Sequence, residues 1–276
     1  MSHDRNPQRA QMADESMVRN LAFQARAIWP QEAPLLRRYA LRESARVLDV
    51  GCGTGEISSR LAAALPRATV VGVDVLEGSV ALARERHAAL APRLSFAEGD
   101  AYALAFPDAS FDLVVCRHVL QAIPHAERAV AEMRRVARPG GWLHLLLEDY
   151  GLVHASPASR ALEAFWEQVP RAFGAALGID NFVGRRGLAL LRGAGLADVR
   201  HDDVVVDTLR VPRDVVAGII EAWRDGYTDV LARHAGRTAA EVRETWDELL
   251  GLIRDPDGYF VWRVPIWSGR VPGGGG

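Results

Sequence analysis

The sequence predicts an α/β protein built on a doubly wound, mainly parallel sheet. Three observations lead there. Short runs that are apolar almost throughout ("ARVLDV", "TVVGVDV", "LSFAEGD", "FDLVVC" and "WLHLLLE") recur between residues 45 and 148. Segments with helical spacing separate these runs, and a glycine-dense stretch, "DVGCGTGEI" (Asp49 to Ile57), follows the first of them directly. Strands that are apolar on both faces and separated by helices belong to a parallel sheet covered on both sides.

The elements can be taken in order. Residues 1–15 are polar and expected to be flexible; residues 16–42 are expected to form an N-terminal helical cap, in which Pro30 and Pro34 interrupt or restart the pattern. After the first strand, Ile57, Leu61 and Leu65 recur at helical spacing up to Pro66. Ser79 reads as the N-cap of the next helix, "VALARERHAAL", which stops near Pro92. Val130, Met133 and Val136 share one face of "AERAVAEMRRVAR", which ends at Pro139-Gly140-Gly141. Residues 43–150 thus make the sheet-bearing core.

Beyond Tyr150, helices are expected from Ala158 to Phe173 and from Arg185 to Gly193, then a strand, "ADVRHDDVVVDTL". A helical block from Val215 to about Arg254 precedes a closing β-rich segment, "GYFVWRVPIWSG". Residues 151–270 read as the rest of the same domain, with the helical block as a lid, and 271–276 as a flexible tail.

Composition excludes several functions. With 49% hydrophobic residues in 276, a sizeable core is available, and a formal charge of −2 speaks against nucleic-acid binding driven by counterion release. Cys52 and Cys116 lack any CxxC or Cys/His spacing. Neither a disulfide framework nor a metal site is expected, and a reducing compartment fits. "MSHDRNPQRAQMADES" has no apolar leader region and no run reaches transmembrane length, so the expected location is cytoplasmic, with no membrane partner.

In an open parallel sheet, ligands bind beyond the carboxyl ends of the strands, which is where "DVGCGTGEI" lies. Gly51, Gly53 and Gly55 allow a sharp turn and close approach of the backbone, and the following helix offers free N–H groups. A dinucleotide fingerprint would need a glycine at 56, where Glu56 would face a pyrophosphate with a negative charge. The pattern is instead D-x-G-x-G-x-G, led by Asp49, and suits a zwitterionic, cationic ligand better.

"VLDVGCGTG" resembles motif I of class I S-adenosylmethionine-dependent methyltransferases. "VVGVDV" is similar to the second motif, "FAEGDAYALAFPDASFDLVVCRHVLQAI" to the third and fourth, and "VARPGGWLHLL" to the fifth. Within the class the chain looks most like small-molecule methyltransferases of the ubiquinone/menaquinone-biosynthesis type and their natural-product relatives. The resemblance covers residues 45–148. It implies a seven-stranded Rossmann-like sheet with an N-terminal helical segment and a helical lid before the last strand.

It also implies S-adenosyl-L-methionine as cofactor, with S-adenosyl-L-homocysteine as product. Asp49, Gly51, Cys52, Gly53 and Gly55 would form the loop around it. Asp74 would take the ribose hydroxyls, with Val75 and Leu76 as an apolar wall to adenine. Asp100 would take the adenine amino group, with the Ala101 N–H nearby. Cys116, Arg117 and His118 would lie beneath the methionine portion. Read without the family, Asp74 is a strand-end cap, Asp100 an Asx turn and Cys116 an inert buried thiol. Asp112 starts its strand and reads as structural. Gln24 or Arg26, on the N-terminal helix, is a candidate to close over the cofactor.

Methyl transfer requires a nucleophile aligned about 3 Å from the methyl carbon and kept from water. An acidic oxygen needs no base, whereas an alcohol, amine or carbon gains from one. The candidates are His118, Glu148, Asp149, Tyr150 and His154, of which His118, Asp149 and Tyr150 lead. His144 reads as a strand residue; His87 and His234 read as helix-surface residues. Trp223, Tyr227, Trp246, Phe165, Trp166 and Phe173 each read as core singly, but as a group they favour a bulky, partly apolar or aromatic small-molecule acceptor. O-, N- and C-methylation all stay open, with secondary metabolism as one setting. So do aminopropyl transfer, a cyclisation that uses the same cofactor, a non-catalytic cofactor-binding role, and a homodimer.

Overall fold

The structure, a computed structural model, describes residues 6–273. Two helices precede the sheet, α1 (Arg9–Met12) and α2 (Glu15–Glu32), followed by a 3-10 segment, Ala33–Tyr39. From Asn6 onward the segment expected to be flexible carries structure. Gln8 is buried and accepts a hydrogen bond from the Tyr227 hydroxyl at 2.9 Å; residues 1–5 lie outside the described residues. The cap helix is also shorter than expected. Pro30 sits in its last turn, where the missing N–H forfeits one bond, and Pro34 enters the 3-10 segment in its first turn, where no N–H is needed.

The sheet then builds as β1 (Arg46–Val50), α3 (Glu56–Ala64), β2 (Thr69–Asp74), α4 (Glu77–Arg86), β3 (Leu94–Glu98), β4 (Phe111–Arg117), α5 (Ala126–Val136) and β5 (Ala137–Leu146). The second half adds β6 (Val153–Ser156), α6 (Arg160–Leu177), α7 (Gly187–Gly193), β7 (Ala197–Asp207), α8 (Arg213–Ala235), α9 (Ala239–Arg254) and β8 (Tyr259–Arg270). Strands β3-β2-β1-β4-β5 are parallel in that order, and β8 runs antiparallel to β5, β6 and β7. This is the doubly wound α/β sheet, but with eight strands. The additional one is β6. The C-terminal part of β8 (Ile266–Arg270) pairs with β5, and its start (Tyr259–Trp262) takes β6 as partner, so Val153–Ser156, where no element was expected, is a short strand.

Alternation along the central strands explains the two covered faces. Val47, Leu113 and Val115 pack with Leu61, Val80 and Ala83 of α3 and α4. Leu48, Val50, Val114 and Cys116 pack on the other face with Val130, Met133 and Val136 of α5. The third core joins α2, α6, α8 and α9 to β7 and β8 through Ile28, Phe165, Ile220, Leu249, Val206 and Trp262. The helical block before the last strand is two helices. Gly236 ends α8 in a left-handed conformation, and Thr238 with Glu241 forms a capping box that starts α9.

Ser79 is inside α4 rather than its cap. The Leu76 N–H ahead of the helix is taken by Asp74, which allows the helix to begin at Glu77. At the other end Val271, assigned to the flexible tail, is buried and exchanges backbone bonds with Gly140 and Gly141, while residues 274–276 lie outside the described residues. Among the described residues no helix is long and apolar enough to cross a membrane.

Candidate active site

The strand order reverses between β1 and β4, and a cavity of about 520 Å³ opens at the carboxyl ends of these strands and their neighbours. One half is made by the strand-end loops. Gly51 (φ 74°) turns the chain out of β1, and a Cβ there would meet Val119 at 2.2 Å, so only glycine fits. The N–H groups of Gly51 and Cys52 donate to the Val73 carbonyl at 2.8 and 3.0 Å, which ties the loop to β2.

Asp74 finishes that tie. Its Oδ2 accepts from the Gly53 N–H at 2.8 Å and its Oδ1 from the Leu76 N–H at 2.9 Å. Burial raises its pKa, and the backbone N–H groups of Leu76, Gly53 and Val75 work against that rise. Each carboxylate oxygen keeps a further lone pair, and the residue lines the cavity beside Val75, which is 41% exposed at the rim. Asp100 and Ala101 line the same half after β3, and Asp100 Oδ1 also accepts the Tyr102 N–H at 2.9 Å. The Asx turn and a ligand-facing position are thus properties of one residue.

Arg117 ends β4 and His118 follows it. Arg117 is 7% exposed, lines the cavity and has Nη2 3.0 Å from Oε2 of Glu32. His118 is in the left-handed region (φ 55°), a conformation that costs a non-glycine residue energy and is kept where the surroundings impose it. The surroundings here are Glu148, just past β5, whose Oε1 forms a short hydrogen bond with His118 Nδ1, and Trp262, whose ring lies 6.1 Å from the imidazole. Glu148 is 1% exposed. In the neutral imidazole whose Nδ1–H donates to that carboxylate, Nε2 is left as an acceptor, and it has no partner among the described residues. Orientation by a buried carboxylate is what a general base needs.

The other half of the cavity is aromatic. Trp166 stacks with Tyr150 (ring centroids 6.1 Å apart), and Phe165 meets Trp246 edge-on at 4.9 Å. Trp223 meets Tyr150 at 5.7 Å. The aromatic group expected from the sequence is therefore brought together on α6, α8 and α9, with α1 adding Arg9 and Met12 to the same wall. Burial pushes the Tyr150 and Tyr227 hydroxyls well up from their usual pKa, so both are neutral.

Several expected residues stand elsewhere. Asp149 is turned off the cavity wall. Arg185 grips its two oxygens at 2.7 and 2.6 Å and the Gly151 N–H donates to one of them, so the carboxylate has no room for catalytic proton transfer. Asp149→Asn is expected to lower stability by about 1–3 kcal/mol, since Arg185 is half exposed, while turnover stays within about twofold of wild type. Thermal unfolding and steady-state rates check both parts. His154 is exposed on β6 and faces a separate cleft.

Asp49, Cys52 and Gly55 support the loop from behind and do not line the cavity. Ser58 Oγ donates to Asp49 at 2.6 Å, and burial pushes the Asp49 carboxyl up to about 6 against the Ser58 hydrogen bond and the Arg117 charge. Glu56 is paired with Arg60 at 2.7 Å. Of the two cap candidates, Gln24 is buried on the cavity wall and Arg26 is exposed, stacked over Phe23. His87 is half-buried, its Nε2 3.2 Å from the Thr54 carbonyl, rather than a plain surface residue. Sequence reasoning missed Asn20 and Gln121 on the wall and Gln8 beneath α1; only Gln121, three residues after His118, had a positional signal.

The comparisons with known proteins bear directly on this geometry. A family described as "Methyltransferase domain" matches residues 47–141. The 27-O-demethylrifamycin SV methyltransferase of Amycolatopsis mediterranei is 36% identical over 59% of this chain and 58% of its own. The malonyl-[acyl-carrier protein] O-methyltransferase of Methylococcus capsulatus is 31% identical over 75% of this chain and 73% of its own. The chain belongs to the class I S-adenosylmethionine-dependent methyltransferases. It spans 35% to 58% of the length of three of the curated methyltransferases it matches, the rifamycin enzyme among them.

A solved structure of the same fold is the phosphoethanolamine N-methyltransferase 2 of Haemonchus contortus with S-adenosylhomocysteine bound. It has TM-score 0.58 and 20% identity, and the match covers 88% of this chain and 53% of that one.

The methyltransferase cofactor can be tested against the residues present. Asn20 Oδ1, Gln24 Oε1, Gln121 Oε1 and the Nε of Arg117 are buried along or beside the cavity wall without hydrogen-bond partners among the described residues. Groups left so are costly unless a polar ligand meets them. A ligand with an amino-acid end, a diol and a heterocycle fits such a wall.

Proposed function

We propose that the protein transfers a methyl group from S-adenosylmethionine to a small, partly apolar or aromatic metabolite. The observation that carries this reading is the joining of two unlike half-sites in one cavity, with His118 and Glu148 at the strand ends between them. Asp74 would hold the ribose hydroxyls, Asp100 with Ala101 the adenine edge, Val75 and Leu76 its face, and Arg117 the amino-acid end. When bound, the cofactor supplies a methyl group already activated by a sulfonium.

What remains for the chain is to bind, orient, exclude water and move one proton. Tyr150, Trp166, Trp223 and Trp246 present flat apolar faces that would orient an aromatic or polycyclic acceptor and keep the site dry. His118 Nε2 would take the proton from a hydroxyl or amine, with Glu148 stabilising the imidazolium. Natural-product biosynthesis is the setting we favour, on the likeness to an enzyme named for a demethylrifamycin acceptor.

The test is S-adenosylhomocysteine release with a panel of hydroxylated aromatics, amines and aliphatic alcohols. Turnover confined to the bulky, apolar members is expected. Tight cofactor binding with no product from any acceptor would sink the reading in favour of a non-catalytic binding protein.

A further inference from the structure

Arg117 is a cationic group on the cavity floor, and its partner comes from outside the sheet core. Glu32, 1% exposed, is the last residue of α2 in the N-terminal cap. The pair is close, 3.0 Å, but not aligned as a hydrogen bond, which leaves guanidinium N–H directions free for another acceptor. Behind Glu32 lies a buried chain. Its Oε1 is 2.9 Å from Nε2 of His144 on β5, and His144 Nδ1 is 2.6 Å from the hydroxyl of Tyr39 in the 3-10 segment.

The direction of this chain follows from Glu32. An ionised carboxylate can only accept, so His144 Nε2 donates to it, and in the neutral imidazole Nδ1 is left to accept from the Tyr39 hydroxyl, which burial keeps protonated. Burial alone would raise the Glu32 pKa, but Arg117 and His144 outweigh it and hold the carboxylate ionised. Asp49, buried behind the glycine loop, also feels the Arg117 charge. Of the four relay groups, only Arg117 lines the cavity.

We propose that Glu32, oriented by His144 and Tyr39, is a positioning residue that aims Arg117 at the carboxylate of the cofactor's amino-acid end. Capture of that end then depends on the N-terminal cap being docked. The inference rests on the methyltransferase reading of the cavity.

Calorimetry with two probes tests it, S-adenosylhomocysteine and adenosine, the second lacking the carboxylate. Glu32→Gln is expected to weaken S-adenosylhomocysteine about tenfold and Arg117→Gln by at least as much, with adenosine unchanged for both. The double variant should be no weaker than Arg117→Gln alone, because Glu32 acts through Arg117. Tyr39→Phe, which removes only the far link, should shift the same probe in the same direction by less, and serves if Glu32→Gln fails to fold.

Equal losses for both probes, no loss for either, or additive losses in the double variant would overturn the relay. A wild-type protein that bound neither probe would overturn the cofactor reading itself, and the relay with it.

Discussion

Asp74→Ala is expected to weaken S-adenosylmethionine binding roughly a hundredfold, from two hydrogen bonds to a charged acceptor at about 1.5 kcal/mol or more each. The carboxylate stands at the end of β2 with one oxygen on the Gly53 N–H and the other on the Leu76 N–H. It is therefore already aimed, and a ribose diol would meet its remaining lone pairs without reorganisation. Removal also frees the Gly53 N–H, so part of the loss is loosening of the loop. Asp74→Asn keeps the shape and one acceptor oxygen but sets its NH2 against the Gly53 or the Leu76 N–H. The asparagine variant should lose less affinity than alanine and still unfold at a lower temperature than wild type. Unchanged affinity in Asp74→Ala, measured by calorimetry, would remove the ribose assignment.

His118→Ala is expected to lower kcat by about 10²–10⁴ with little change in cofactor affinity, the size usual for a positioned general base. Glu148→Gln should lower it less, because the imidazole stays in place while its orientation and the stabilisation of its charged form weaken. The left-handed backbone at His118 fixes the direction in which the ring leaves the end of β4. Alanine keeps the Cβ and with it the left-handed strain, and it loses the Glu148 hydrogen bond, so stability should fall modestly. If both variants kept full turnover, alignment alone would account for the catalysis and the acceptor would be an acidic oxygen that needs no base.

The strand-end half of the cavity was legible because it is written locally. Gly51 and Gly53 adjoin β1, and Asp74, Asp100 and Arg117 are each one strand end further on, so a parallel sheet brings them to one cavity by topology alone, while Asp49, Cys52 and Gly55 of the same stretch stay behind the loop. The other half of the cavity was legible only as a group of aromatics. Which faces met depended on how α6, α8 and α9 cross, and single residues carried no signal of that.

Asp149 was misread for an equally physical reason. "EDY" looks like one cluster of ionisable groups, but successive residues past a strand point in opposite directions: Glu148 turned to His118 and Asp149 to Arg185, 36 positions later. The order in residues 6–15 was invisible for want of apolar periodicity, since Gln8 is held by a hydrogen bond to Tyr227 rather than by a hydrophobic face. The eighth strand followed from the length of β8, a property of the opposite end of the chain.

The most direct measurement is a crystal structure of the protein grown with S-adenosylhomocysteine. The ribose hydroxyls are expected on Asp74, the adenine amino group on Asp100 and the carboxylate on Arg117, with the sulfur turned toward His118 and the aromatic wall. The ligand bound outside the cavity, or seated in it with the sulfur facing away from His118, would contradict the assignment of the two half-sites to one reaction.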